Sequence, residues 1–177
     1  MTGKVIFKLK GIELGPEIHL NGLPLIFRCP ESKIYVGKGC RFVSNTKFNL
    51  IGVNRKCIIS TLAKGAVITI GDYSGFSGVS IGAANEIIIG SNVMVGANSL
   101  ITDTNWHSID PKQRNQSDPN PGKIIIEDNV FIGYGCIILK NTTIGENSVI
   151  GAGSVVTGKI PANVIAAGNP CKVIKSI

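Results

Sequence analysis

Long apolar runs, charge and paired cysteines are all scarce in this sequence, and each scarcity removes a class of protein. No stretch approaches the roughly 18 consecutive apolar residues of a membrane-spanning helix. Met1 to Lys10 alternates lysine with Val, Ile, Phe and Leu where a signal peptide would carry an apolar block, so no membrane span and a cytoplasmic location are expected. Charged residues make up 16% of the chain and hydrophobic ones 44%, against a charged share of roughly 25% in ordinary globular proteins; much side chain must therefore lie inside. The five cysteines, Cys29, Cys40, Cys57, Cys136 and Cys171, are odd in number and form no CxxC pair, which suggests neither a zinc ribbon nor a disulfide framework. Thiols filling small core positions are expected instead. With only two histidines, His19 and His107, one chain cannot build a three-histidine zinc centre, and no metal is expected. Aromatics are few (six Phe, three Tyr, one Trp), and the 18 Lys and Arg residues are scattered. Despite the formal charge of +7, nucleic acid is therefore not the expected partner; the charge suits an acidic lipid surface or cofactor phosphates equally well.

What the chain has is a repeat. Its 177 residues are about one domain's length and leave no room for a second catalytic domain, so residues 1–177 are read as one unit. The 22 glycines sit singly between aliphatic residues, a turn-rich β pattern. From Ile126 to Pro161 the chain divides without gaps into IEDNVF, IGYGCI, ILKNTT, IGENSV, IGAGSV and VTGKIP, each led by Ile or Val. Position four is Asn129, Gly135, Asn141, Asn147, Gly153 and Lys159, mostly residues that tolerate positive φ at a corner. Position five is small or β-branched: Val130, Cys136, Thr142, Ser148, Ser154 and Ile160. An amphipathic helix would place apolar residues three and four apart, which this pattern does not. Very short strands separated by bends fit it, with aliphatic residues of successive coils stacked into a core that no single repeat could bury. IGSNVM and VGANSL, led by Ile89 and Val95, continue the phase upstream; VGKGCR at Val36 and IGDYSG at Ile70 are recognisable, and residues 42–69 keep it only loosely. An all-β solenoid is predicted, clearest over 86–161 and beginning somewhere between residues 12 and 36. A right-handed β-helix or a β-sandwich is the competing fold.

The hexads stop after Ile101 and resume at Ile126, leaving TDTNWHSIDPKQRNQSDPNPGKII between them. This protruding loop, at about 102–122, is polar and carries Pro111, Pro119 and Pro121. Structureless segments of about 20 residues are uncommon in compact domains unless they serve a function or are disordered. It holds the chain's one Trp, Trp106, beside His107. An unperturbed imidazole titrates at about 6.5 and accepts a proton at neutral pH, which makes His107 the general-base candidate. A surface histidine with a tryptophan beside it is the bland alternative, and His19, lying before the regular coils, is read as structural or surface.

On these residues the sequence resembles the hexapeptide-repeat acetyltransferases, in particular the branch of galactoside and maltose acetyltransferases and surface-polysaccharide O-acetyltransferases. The resemblance covers residues 86–177: IGSNVMVGANSLITDTNWHSIDP, the hexads, and the ending GAGSVVTGKIPANVIAAGNPCKVIKSI, a short C-terminal tail. It implies a left-handed parallel β-helix, a handedness that periodicity does not give, and a homotrimer with active sites between adjacent prisms. It also implies acetyl-CoA as co-substrate and His107 as the base that activates a hydroxyl. The cofactor would run past Gly133 and Tyr134, then Ala152 and Gly153, then Thr157 and Gly158, toward a basic tail in which Lys172 and Lys175 meet phosphate. Two positions depart from the family: Phe131 stands where Trp is common, and Gly158 where Lys is common, with Lys159 adjacent.

The implied reaction is transfer of an acetyl group from acetyl-CoA to a hydroxyl of a sugar or surface-polysaccharide precursor. Asp103 and Asp110 are candidates to hold the second imidazole nitrogen and line the acceptor site. Asn105, Trp106 and Arg114 would shape that site, and Asn85 would reach it from the neighbouring coil. The competing functions are N-acetylation of an amino sugar or a xenobiotic, a non-catalytic assembly coil, and a metal enzyme of the same architecture.

Overall fold

Each hexad supplies one short strand and one corner, so three hexads close one turn of a three-sided coil. The computed structural model describes Phe7 and residues 10–177, and there the chain winds into a left-handed parallel β-helix. The alternating segment Met1 to Lys10 lies outside the described residues apart from Phe7 and Lys10. Among the described residues the three faces hold seven, eight and six strands. Face A runs from Glu13–Leu14 through Glu86–Ile89 and Lys123–Ile126 to Lys159–Ile160; face B from His19–Asn21 through Phe131–Ile132 to Val164–Gly168; face C from Leu25–Arg28 through Leu100–Thr102 and Ile137–Ile138 to Val155–Val156. Ile126 lies opposite Ile144, and Ile132 opposite Ile150, so these coils repeat the register three hexads on. The last strand, Cys171–Ser176, turns back antiparallel on Val164–Gly168 and ends the stack.

The hexad reading explains the core. Ile126, Ile132, Ile138, Ile144, Ile150 and Val156 are fully buried. Position five also points inward, where Ser148 and Ser154 serve the corner backbone: the Ser148 hydroxyl donates to the Pro161 carbonyl of the next coil and the Ser154 hydroxyl to the Gly151 carbonyl of its own corner, and they accept the Val164 and Gly168 amides respectively. Cys136 does part of the same work, its thiol donating to the Gly151 carbonyl. Cys40, Cys57 and Cys136 are buried, and all five cysteines are free. Position four carries positive φ at Asn129, Gly135, Asn141, Asn147 and Gly153, as corners require. Asn129, Asn147 and Asn163 further link their side-chain amides into a ladder along the A–B corner, at 3.1 and 2.9 Å. Lys159 departs from the pattern: it is already extended in a strand, and the positive φ of that corner falls on Gly158, one residue earlier.

The solenoid begins with Glu13–Leu14, within the expected window. Its early coils put Glu17, Glu31 and Tyr73 in the left-handed region and fill their core with stacked rings, Phe42 on Phe76 at 5.2 Å between centroids. Residues 44–57 leave the coil between the face B strand Arg41–Val43 and the face C strand Ile58–Thr61, which is why the period slackens there. A second departure, from Thr102 to Lys123, is the predicted loop. Removing one rung of the aliphatic column should be costly, because neighbouring coils cannot close a gap without breaking their own pairing. Ile144→Ala is expected to lower unfolding free energy by about 3 kcal/mol in urea titrations; a loss below about 1 kcal/mol would mean that the column does not carry the stability assigned to it.

Candidate active site

The loop leaves at the corner between faces C and A, and its neck is closed by backbone. The Gly122 amide donates to the Asp103 carbonyl at 2.6 Å, and the Asn85 side chain donates to the Gly122 carbonyl at 2.9 Å. The Asp103 carboxylate is fully buried and accepts the Ala84 and Asn85 amides at 2.7 and 2.8 Å. Burial pushes its carboxyl above the usual range, opposed by those amides. Gly122 is required here: a Cβ would meet the Asn141 side chain and come within 2.8 Å of Lys140 Cβ. Asn85 thus does reach across from the neighbouring coil, to the neck of the loop.

Above the neck the strand of loop that carries His107 is organised by a residue that sequence reasoning missed. Asp118 accepts the Thr104 hydroxyl, the Asn105 amide, the Asn120 amide and the Lys140 ammonium, the last at 2.9 Å. Burial alone would raise its carboxyl, but the hydrogen bonds from Asn105, Lys140 and Asn120, with the charge of Lys140, outweigh it and hold the group at about 2. Trp106 follows with φ 65°, a strained conformation for a bulky residue, and its amide donates to Thr104 Oγ1. The indole is 52% exposed and lies over face C at Gly82, where a Cβ would be 3.5 Å from Cζ2. Leu62, Ala63, Ala84, Thr104, Trp106, Ser117, Asp118 and Pro121 line a cleft of about 290 Å³, part apolar and part polar.

His107, next in the chain to the cleft residue Trp106, is exposed, its amide donating to the Asn105 carbonyl at 2.7 Å. Neither aspartate expected to orient the imidazole does so. Asp103 is occupied at the neck, and Asp110 caps the short 3-10 turn Pro111–Gln113 by accepting the Lys112 amide at 2.9 Å. Arg114 turns back to the Ile109 carbonyl, fixing the loop's tip. Of the predicted acceptor-site residues Trp106 lines the cleft, with Asn105 and His107 flanking it in the chain, while Asp103, Asp110 and Arg114 hold the loop's shape. Signals for Asp118 and Lys140 were present but faint: Lys140 puts a charge in position three of the regular hexad ILKNTT, and Asp118 stands among the loop's polar residues.

The residues assigned to a cofactor border the C-terminal coils of face C on both sides. Gly133, Tyr134, Ala152 and Gly153 occupy the B–C corner, where a Cβ on Gly133 would be 2.6 Å from the Ala152 nitrogen; Tyr134 stays put by accepting the Asn98 side-chain amide at 2.9 Å. Thr157, Gly158 and Lys159 occupy the C–A corner, the loop's own corner two coils on, and are exposed. Nothing lies within 4 Å of where a Cβ would stand on Gly153 or Gly158, so backbone is bare at both corners. Lys172 and Lys175 stand apart on the returning strand, opposite Ala167 and Ile165 of face B, with Lys172 nearer the B–C corner. Burial pushes the thiols of Cys40, Cys57 and Cys136 up, which makes them poor nucleophiles. Among the described residues no three His, Cys, Asp or Glu side chains gather as a metal would need, and no helix is long and apolar enough to cross a membrane.

Residues 123–158 match the family described as bacterial transferase hexapeptide (six repeats), and residues 86–102 match the hexapeptide repeat of succinyl-transferase. The chain is 43% identical over 107 residues to a galactoside O-acetyltransferase of Lactococcus lactis, covering 60% of this chain and 51% of that protein. Over these stretches the chain carries hexapeptide repeats and is similar to acetyltransferases built on them. It spans about half the length of the curated relatives it matches (51%, 44% and 58%). A galactoside acetyltransferase solved in complex with coenzyme A superposes with a TM-score of 0.58 at 26% identity, over 98% of this chain and 68% of the other. The polySia-specific acetyltransferase NeuO superposes with a TM-score of 0.68 at 22% identity, over 93% and 75%, a likeness of fold.

The acid behaviour of the loop follows from Asp118. A carboxyl held at about 2 when folded adds stability that is complete above its unfolded value of about 3.9 and is lost as pH falls through 2. Asp103, shifted the other way, is relieved by acid and cannot cause the loss. Trp106 emission should therefore change between pH 4 and 2 in the native chain and lose that transition in Asp118→Asn; an unchanged transition in the variant would assign it elsewhere.

Proposed function

We propose that this chain transfers an acetyl group from acetyl-CoA to a hydroxyl of a sugar or surface-polysaccharide precursor, with His107 as general base. The observation that supports this reading is a tethered loop whose Trp106 lines a cleft on face C with His107 exposed next to it in the chain, while bare glycine corners border the same face in the coils that follow. The relatives named galactoside O-acetyltransferase, and a galactoside acetyltransferase bound to coenzyme A, supply the chemistry that such a surface would serve.

The residues fit an extended, phosphate-bearing co-substrate. Gly153 and Gly158 leave backbone open for a thin chain to lie against, and Lys159, Lys172 and Lys175 are exposed cations at that end of the prism. Acetyl-CoA supplies the activated acyl group. His107 takes the proton as the acceptor oxygen bonds to the acyl carbon, and returns it to the sulfur as the C–S bond breaks. Transfer is direct, so no cysteine is needed. A sugar ring would place its apolar face against Trp106 and its hydroxyls toward Thr104 and Ser117. The working unit is read as a cytoplasmic homotrimer in which a neighbouring prism completes each site; the exposed side chains of Phe131 and Ile137 at 45% and 37% support a covering partner.

Thiol release from acetyl-CoA, measured with mono- and disaccharides, amino sugars and chloramphenicol, tests the reading and separates hydroxyl from amine acceptors. His107→Ala should keep its fold and its coenzyme A affinity while losing about two to four orders of magnitude in turnover. Undiminished turnover in the variant would falsify the mechanism, and no release with any acceptor would remove the function.

A further inference from the structure

The C–A corner carries, on successive coils, the loop's neck at Asp103 and Gly122, then Leu139–Asn141, then Thr157 and Gly158. From the middle level Lys140 reaches back to the loop, its ammonium 2.9 Å from Asp118 and 2.8 Å from the Asn120 carbonyl. An ion pair in solvent would mean little. This one is shielded, with the Asp118 side chain 4% and the Lys140 side chain 23% exposed, and the carboxylate has four donors around it. Its bonds lead in one direction. Asp118 takes the Thr104 hydroxyl and the Asn105 amide; Thr104 Oγ1 takes the Trp106 amide; the Asn105 carbonyl takes the His107 amide. Each backbone amide from Asn105 to His107 is thus held by that carboxylate or by a group next to it.

We propose that the Lys140–Asp118 pair is the positioning device that sets His107 and Trp106 against face C, referencing the loop to the coil between its neck and the Thr157–Gly158 corner. Neither residue meets the reacting atoms; both act through the backbone of residues 104–107. The role rests on His107 being the base, so its test has one arm that needs no activity. Trp106 is the chain's single tryptophan, and acrylamide quenching of its emission reports the seat of the loop. Quenching should rise in Lys140→Met and in Asp118→Asn and stay near the native level in Lys140→Arg, with circular dichroism confirming intact coils in all three. Native quenching in Lys140→Met would overturn the clamp. In turnover, Lys140→Met should lose about ten- to a hundredfold in kcat with KM for acetyl-CoA unchanged, Lys140→Arg should recover most of it, and adding Lys140→Met to His107→Ala should cost nothing more. A further loss of the same size in that double variant would show that the pair acts on something other than His107. A native chain that transfers no acetyl group would remove the proposed function, leaving the quenching arm to decide the clamp.

Discussion

Parallel pairing between coils, with one buried aliphatic side chain per hexad, is the constraint from which everything else in this molecule follows. A prism whose coils are built from strands of two to five residues has no interior beyond those columns, so a coil is stable only when the coil above and the coil below present the same register. That fixes hexad length in the C-terminal half, where Ile126 and Ile144, Ile132 and Ile150, and Ile138 and Val156 stack 18 residues apart. It also confines variation to the corners. Chain can be added at a corner without moving a strand, and the two excursions, 44–57 and the loop carrying His107, both use that freedom.

The same constraint decides how much could be read from sequence. Hexads from Ile126 onward were legible because asparagine and glycine mark the left-handed corners and the leading residues are uniform. The early coils were not, because Glu17, Glu31 and Tyr73 take corner conformations without belonging to the residue types that signal them, and a phenylalanine stack replaces the isoleucine column. The His107 loop announced itself as an interruption. Its internal wiring did not: Asp118 and Lys140 are 22 apart in sequence, and no periodicity links them. Asp103 and Asp110 looked like partners of an imidazole by proximity in the chain, yet short acidic side chains beside a bend satisfy the nearest amides first, and both do so here.

A histidine that is to serve as a base from a loop, the role proposed for His107, has to be both projected and fixed. Projection places it beyond the face of the prism, where an acceptor can approach; fixation is needed because proton transfer depends on sub-ångström placement. The coils provide rigidity only up to the neck, where Asp103, Asn85 and Gly122 close the loop's base. Beyond it the chain has few apolar contacts, Ile109 at the tip being 77% exposed, so burial cannot hold it. Polar bonds converging on a shielded carboxylate are the remaining means.

The backbone of Trp106 argues that such fixation is substantial. A bulky residue at φ 65° costs about 1–3 kcal/mol and persists only where its surroundings over-determine it. Glycine or asparagine at this position would relieve the strain at no loss to the coils, which do not include it. Tryptophan there makes sense when the ring itself is wanted, its edge reaching over a face that Gly82 has left bare. The strain, the missing side chain beneath the ring and the network through Asp118 are three separate features that serve one placement, and that placement is the wall of the cleft beside His107.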